Sequence, residues 1–265
     1  MVMGIAGYWG AALTAMFIAG AASAQECRAE SGPHRAALVE LYTSEGCSSC
    51  PPADRQLSRL ASDANGFALG RDIVPLALHV DFWDYIGWKD PFARADFTAR
   101  QRALVAANGG RALYTPHFFV NGQEIRDRAR VEASVRTQNA RAASADIRIA
   151  VTPSENGRLR IALRVGHARP GQSGAPLALH AAVTESGLSN RIGAGENRGA
   201  VLAHDHVVRH WFGPVPVRSG AATLERVLQL TPEQAAKGVA VAAFVQDTRS
   251  GEVLQAVSTG LCAAA

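Results

Sequence analysis

Apolar positions fall into three regimes along the chain. From Ile5 to Ala22 they run without a charge. From Ala36 to about Ala143, compact runs of strand character alternate with segments of helical spacing, and beyond Ala145 the period shortens to two. Ala36 to Thr43 predicts a strand that stops at Ser44-Glu45-Gly46. A helix is expected from Cys50–Ala53 to Ala61, because Ala53, Leu57, Leu60 and Ala61 recur at helical spacing. Pro51 and Pro52 are tolerated in a first turn whose amides have no internal acceptor. Ile73 to Val80 is a second strand, apolar enough to be buried on both faces. An aromatic loop follows from Asp81 to Phe92, then a helix from Asp96 to Ala107 that ends at Asn108-Gly109-Gly110. Phe118–Val120 and Gln123–Ile125 flank Asn121-Gly122, a strong hairpin signal, and Arg128 to Ala143 completes the series as an amphipathic helix.

This order predicts an α/β unit with a central mixed sheet flanked by helices, over residues 25–144. In residues 145–265, Leu159, Ile161, Leu163 and Val165 alternate with polar neighbours, as do Leu177, Leu179, Ala181 and Val183. With the apolar run Val239 to Val245, they predict a mostly antiparallel β-sandwich-like domain.

Composition narrows the class. The 265 residues are 48% hydrophobic and 19% charged, which excludes a disordered chain, a fibre and a multi-span membrane protein. The net charge of +4 comes mainly from arginines spread along the chain, without the basic stripe that nucleic acid binding requires. The apolar segment ending in Ala22-Ser23-Ala24 reads as a signal peptide over residues 1–24, with a retained anchor as the alternative. The expectation is a periplasmic or secreted protein with no stable membrane span after cleavage, in a compartment that permits disulfides.

Cysteines occur at 27, 47, 50 and 262. Cys47-Ser48-Ser49-Cys50 lies where a strand gives way to a helix, and the unpaired amides and positive dipole end there favour a thiolate at Cys47. Cys50, three residues on, is placed to resolve a mixed disulfide. The same spacing suits a structural disulfide or half a zinc site, but zinc needs further ligand pairs that the remaining cysteines do not supply. His204, His206 and His210 share strand parity, with Glu196 and Asp205 nearby, and form a candidate metal cluster that spans too much strand for one ion unless the strand bends. Neither a metal nor an organic cofactor is expected.

Strand, GCSSCPP, helix and then TPHFFVNG resemble the thioredoxin fold. More narrowly, VELYTSEGCSSCPPADRQL, LHVDFWDYIGWKDPFA, YTPHFFVNG and GENRGAVLAHDHVVR resemble a family of secreted bacterial proteins known as domain of unknown function 1223, which pairs a thioredoxin-like domain with a β-rich carboxyl-terminal region. The resemblance implies that Pro116 is cis, that the main chain of Thr115 pairs with an extended substrate, and that Glu40 takes the place of a buried acid serving the second cysteine. Gly46 and Ser48-Ser49 depart from the residues thioredoxins carry at these positions, so a reduction potential does not transfer.

Cys27 and Cys262 flank the mature chain and are expected to form a structural disulfide, with two free or intermolecular thiols as the alternative. The function expected is an extracytoplasmic thiol–disulfide oxidoreductase. Its substrates would be protein thiols or disulfides, and a redox partner protein would close its cycle. Two other classes stay open: a non-catalytic secreted binding module with a structural disulfide, and a copper-handling thioredoxin-like protein using Cys47, Cys50 and an imidazole such as His117.

Overall fold

The structure is a computed structural model that describes residues 26–62, 65–154, 157–171, 174–237 and 239–261. Its strands are β1 (Cys27–Glu30), β2 (Ala37–Thr43), β3 (Ile73–His79), β4 (His117–Val120), β5 (Gln123–Ile125), β6 (Asp146–Pro153), β7 (Arg158–Gly166), β8 (Leu177–Glu185), β9 (Leu188–Arg191), β10 (Val201–His204), β11 (Val207–Pro216), β12 (Ala222–Gln229), β13 (Val239–Asp247) and β14 (Val253–Gly260). The α-helices are α1 (Pro51–Leu60), α2 (Ala95–Ala107), α3 (Val131–Asn139) and α4 (Pro232–Lys237).

Eight strands form one sheet in the order β14-β13-β8-β11-β3-β2-β4-β5. Within it β2/β3 and β3/β11 are parallel, and the other neighbours are antiparallel. A four-stranded sheet, β1-β6-β7-β12, packs across the β8–β13–β14 end, while β9 and β10 form a separate two-stranded hairpin. The alternation along β6 and β7 explains this packing. Ile147, Ile149, Val151, Ile161 and Leu163 point inward and meet Leu179, Ala181, Val241 and Ala243 of the large sheet.

The other end of the large sheet carries helices. On one face Val39, Leu41, Ile73 and Ala77 are covered by α1 and α3 through Ala53, Leu57, Val131 and Val135. On the opposite face Leu38, Tyr42, Leu76 and Phe119 meet Phe97, Leu104 and Val105 of α2, and the same core continues into Ala182, Val208 and Phe244.

The expectation of an α/β thioredoxin-like domain followed by a β-sandwich-like domain is therefore corrected. The chain is mostly β, with fourteen strands against four α-helices among the described residues, and its eight-stranded sheet takes strands from both sides of residue 144. The periodicity located β2, β3, α1, α2, the β4–β5 hairpin and α3. It did not disclose that β11 inserts beside β3, because alternation identifies a strand and not its neighbour. Among the described residues no helix is long and apolar enough to cross a membrane. The signal peptide expected over residues 1–24 lies outside them.

Candidate active site: a covered disulfide at the start of a helix

The chain leaves β2 at Thr43 and turns through Ser44-Glu45-Gly46, with the Cys47 amide donating to the Ser44 carbonyl at 3.2 Å. Cys47 and Cys50 are joined by a disulfide with their Cα atoms 5.4 Å apart. Cys50 is the N-cap residue of α1, and Pro51 and Pro52 occupy the first two helical positions. Both cysteines are buried, Cys47 at 1% and Cys50 at 0% exposure, whereas Ser48 and Ser49 between them are exposed.

Glu45 organises the turn. Its carboxylate is fully buried and accepts from Trp88 Nε1 at 2.8 Å and from Asn190 Nδ2 at 2.7 Å, with His204 Nε2 at 3.0 Å. Its amide donates to Asp90 Oδ2 at 2.9 Å. The same Asp90 oxygen lies 2.7 Å from His79 Nδ1, while the other accepts from the Phe92 amide. Burial pushes the His79 imidazole down, but the carboxylates around it, Asp90 foremost with Asp54 and Glu45, together outweigh it and the net shift is upward. Burial likewise pushes Asp90 up, and His79 with the two amides reverses this, holding Asp90 below the usual carboxylate range. Asp54, four residues after Cys50 on α1, accepts from Thr43 Oγ1 at 2.7 Å, and burial raises its carboxyl.

Two loops close over the disulfide. Trp83 and Ile86 of the aromatic segment lie against Gly46, where an added Cβ would stand 3.0 Å from Trp83 Cβ. The β9–β10 connection crosses from the other side. Glu196 Oε2 accepts from the Ser48 amide at 3.0 Å, and Asn197 Nδ2 donates to the carbonyls of Glu45 and Cys47 at 2.8 and 3.0 Å.

The expected residues are distributed as follows. The Thr115–Pro116 peptide is cis, and the Thr115 hydroxyl accepts from Trp83 Nε1 at 2.8 Å, so this segment reaches Gly46 through Trp83. Glu40 is fully buried. Alternation along β2 turns it to the α2 face, away from α1, where Arg100 binds its carboxylate through Nε at 2.6 Å and Nη2 at 3.0 Å. His117 shares that face, with its two ring nitrogens held by Gln101 and Glu124. His204 is committed to Glu45, His206 sits in a turn with φ of 57°, and among the described residues no three His, Cys, Asp or Glu side chains form a metal-binding group. Cys27 is buried and disulfide-bonded; Cys262, expected as its partner, lies outside the described residues.

Sequence reasoning passed over Glu45, His79, Asp90, Asn190 and Asn197. Most of them lie within or beside the same segments that carry the family resemblance, where the signal was present without a geometry to interpret it.

A family model described as a protein of unknown function, DUF1223, matches residues 38–246. The chain belongs to the DUF1223 family. The match spans the disulfide, Glu45 and the β9–β10 cover alike, so the whole site lies inside the DUF1223 region. Among solved structures, a crystal structure of protein AGR_C_4864 from Agrobacterium tumefaciens is similar with a TM-score of 0.56 and 22% identity, covering 86% of this chain and 94% of that one. HBP35 of Porphyromonas gingivalis is similar with a TM-score of 0.62 and 16% identity, over 87% of this chain and 76% of that one. At these identities the likeness concerns the fold. No curated protein matches the chain.

Proposed function

We propose that this DUF1223 chain is an extracytoplasmic thiol–disulfide oxidoreductase acting on protein cysteines through Cys47 and Cys50. The observation that carries the reading is a disulfide between neighbouring cysteines that closes the amino-terminal turn of a ten-residue helix. When the pair is reduced, helix amides favour the Cys47 thiolate. That thiolate attacks a client disulfide, forming a mixed disulfide as one client sulfur leaves as a thiolate. Cys50 then loses its proton and attacks Cys47 Sγ, releasing the second client thiolate and restoring the Cys47–Cys50 bond. Two electrons pass to the client, and a partner dithiol returns them. The apolar, uncharged segment from Ile5 to Ala22 supports export.

One observation favours a second reading, a structural bridge: Cys47 is only 1% exposed. Trapping separates the two. Reduced Cys50→Ser protein offered a disulfide-containing protein should accumulate a mixed disulfide at Cys47, and Cys47→Ser should not. If Cys50→Ser traps nothing although Cys47 is reduced, the bridge is structural.

A further inference from the structure

The cover over the disulfide is built differently from the rest of the molecule. Strands β9 and β10 pair only with each other among the described residues, and a lone two-stranded hairpin has little stability of its own. Its base is fixed by Leu188 against Phe92 and Val207, and by Asn190 and His204 on Glu45. Its tip, residues 193–199, is mostly exposed and contains Gly193, Gly195 and Gly199, the last two at φ of +73° and +87°. At the foot of the tip, Ile192 and Ala200 share a main-chain bond of 2.9 Å. The tip could therefore move while the base of the hairpin stays in place.

Glu196 and Asn197 are the tip residues with side-chain hydrogen bonds to the disulfide turn, and they grip a single peptide group from both edges. Glu196 takes the Ser48 N–H and Asn197 takes the Cys47 C=O. Asn197 also holds the Glu45 carbonyl, so one amide nitrogen bridges both sides of Gly46. The glycines of the tip also lie close on the aromatic loop: an added Cβ at Gly195 would meet Ile86 at 3.0 Å, and at Gly193 it would meet Trp88 at 3.2 Å.

We propose that Glu196 and Asn197 are gating residues: their grip on the Cys47–Ser48 peptide keeps the disulfide covered, and thiol exchange proceeds only when residues 193–199 lift away. This rests on the oxidoreductase reading for its biological use, but the gate itself is a statement about access. It can be tested with a reductant that is not a client.

The experiment uses the full oxidised chain and two reagents. With tris(2-carboxyethyl)phosphine, phosphorus attacks one sulfur, water supplies the oxygen of the phosphine oxide, and two thiols result. With glutathione, a thiolate opens the disulfide to a mixed disulfide and a free cysteine. Rates are read by alkylation and mass for wild type, Asn197→Ala, Glu196→Ala and Glu196→Gln. Losing one or two hydrogen bonds should accelerate reduction of Cys47–Cys50 by about tenfold or more with both reagents in the two alanine variants. Glu196→Gln, which keeps an acceptor for the Ser48 amide, should stay near wild type. Equal phosphine rates in all four proteins overturn the gate whatever glutathione does. Acceleration by phosphine alone also overturns it, because exchange with a thiol is what the gate is said to control. The oxidoreductase reading fails separately, through an empty Cys50→Ser trap. Should a variant not fold, amide hydrogen exchange in the wild type decides. A gate requires the Ser48 amide to exchange well before those of β2, and exchange only together with β2 contradicts it.

Discussion

Glu40 and Glu45 are both buried carboxylates near the end of β2, and the face on which each lies decides its role. Glu45 sits past the strand, where the chain has turned toward the disulfide, and collects donors from the aromatic loop and the β9–β10 hairpin. Glu40 is within the strand, and its parity sends it to Arg100. That guanidinium also lies over the rings of Trp211 and Phe244, at 4.6 and 5.2 Å from their centroids. Removing one member of a buried ion pair leaves the other unpaired, at a cost of about 3 kcal/mol or more. Glu40→Ala should lower stability by that order in a urea titration, while leaving the phosphine reduction rate of Cys47–Cys50 within about twofold, a small effect on a tenfold-per-1.4 kcal/mol scale. A stability loss below about 1 kcal/mol would show the pair to be no stronger than an exposed one. The residue types near the cysteines were legible in the sequence, but the choice between the two glutamates depends on where strand alternation ends and the turn begins.

At the scale of elements, α1 places the chemistry and its first turn carries a second buried acid. Burial raises the Asp54 carboxyl above its ordinary value, more than Thr43 and the His79 charge lower it. A raised pKa means that the folded state binds the proton more tightly than the unfolded chain. Asp54 therefore stabilises the fold below the unfolded-state pKa, and this contribution is lost as pH rises through the folded value. Asp54→Asn keeps an acceptor for Thr43 and has no charge to desolvate. It should be more stable than wild type at pH ~7, with the difference shrinking as pH falls through the raised folded value and levelling off below about 4, where the unfolded chain is protonated too. Chemical denaturation across that window tests it, and a less stable Asn variant at neutral pH would mean that the His79 interaction outweighs burial. Strands and helices with unbroken periodicity were readable from sequence, as was the Asn121-Gly122 turn. β11 was not. Register shifts between Val208 and His210 and between Phe212 and Val215 interrupt its alternation, and a cis Gly213–Pro214 peptide lies inside it.

At the scale of the whole molecule, one sheet joins the early and late parts of the chain. β11 pairs with β3 at Val207 and Ala77, and the core around Tyr42 and Phe119 contains Ala182, Val208 and Phe244. The consequence for function is that the cover over the disulfide comes from a late part of the chain, and its hairpin leads directly into β11. The sequence pattern implied two adjacent units with the chemistry in the first. The structure makes the site a joint product of residues 44–54, 79–90 and 190–204, which long-range pairing brings together. A glutathione redox titration of the full chain, with Cys47→Ala as control and thiol state read by alkylation and mass, decides whether the Cys47–Cys50 pair is redox-active. Reversible exchange of the Cys47–Cys50 pair is expected at a potential between about −270 and −120 mV, the range of disulfide oxidoreductases. A pair that stays oxidised below about −300 mV would contradict it and mark the disulfide as structural.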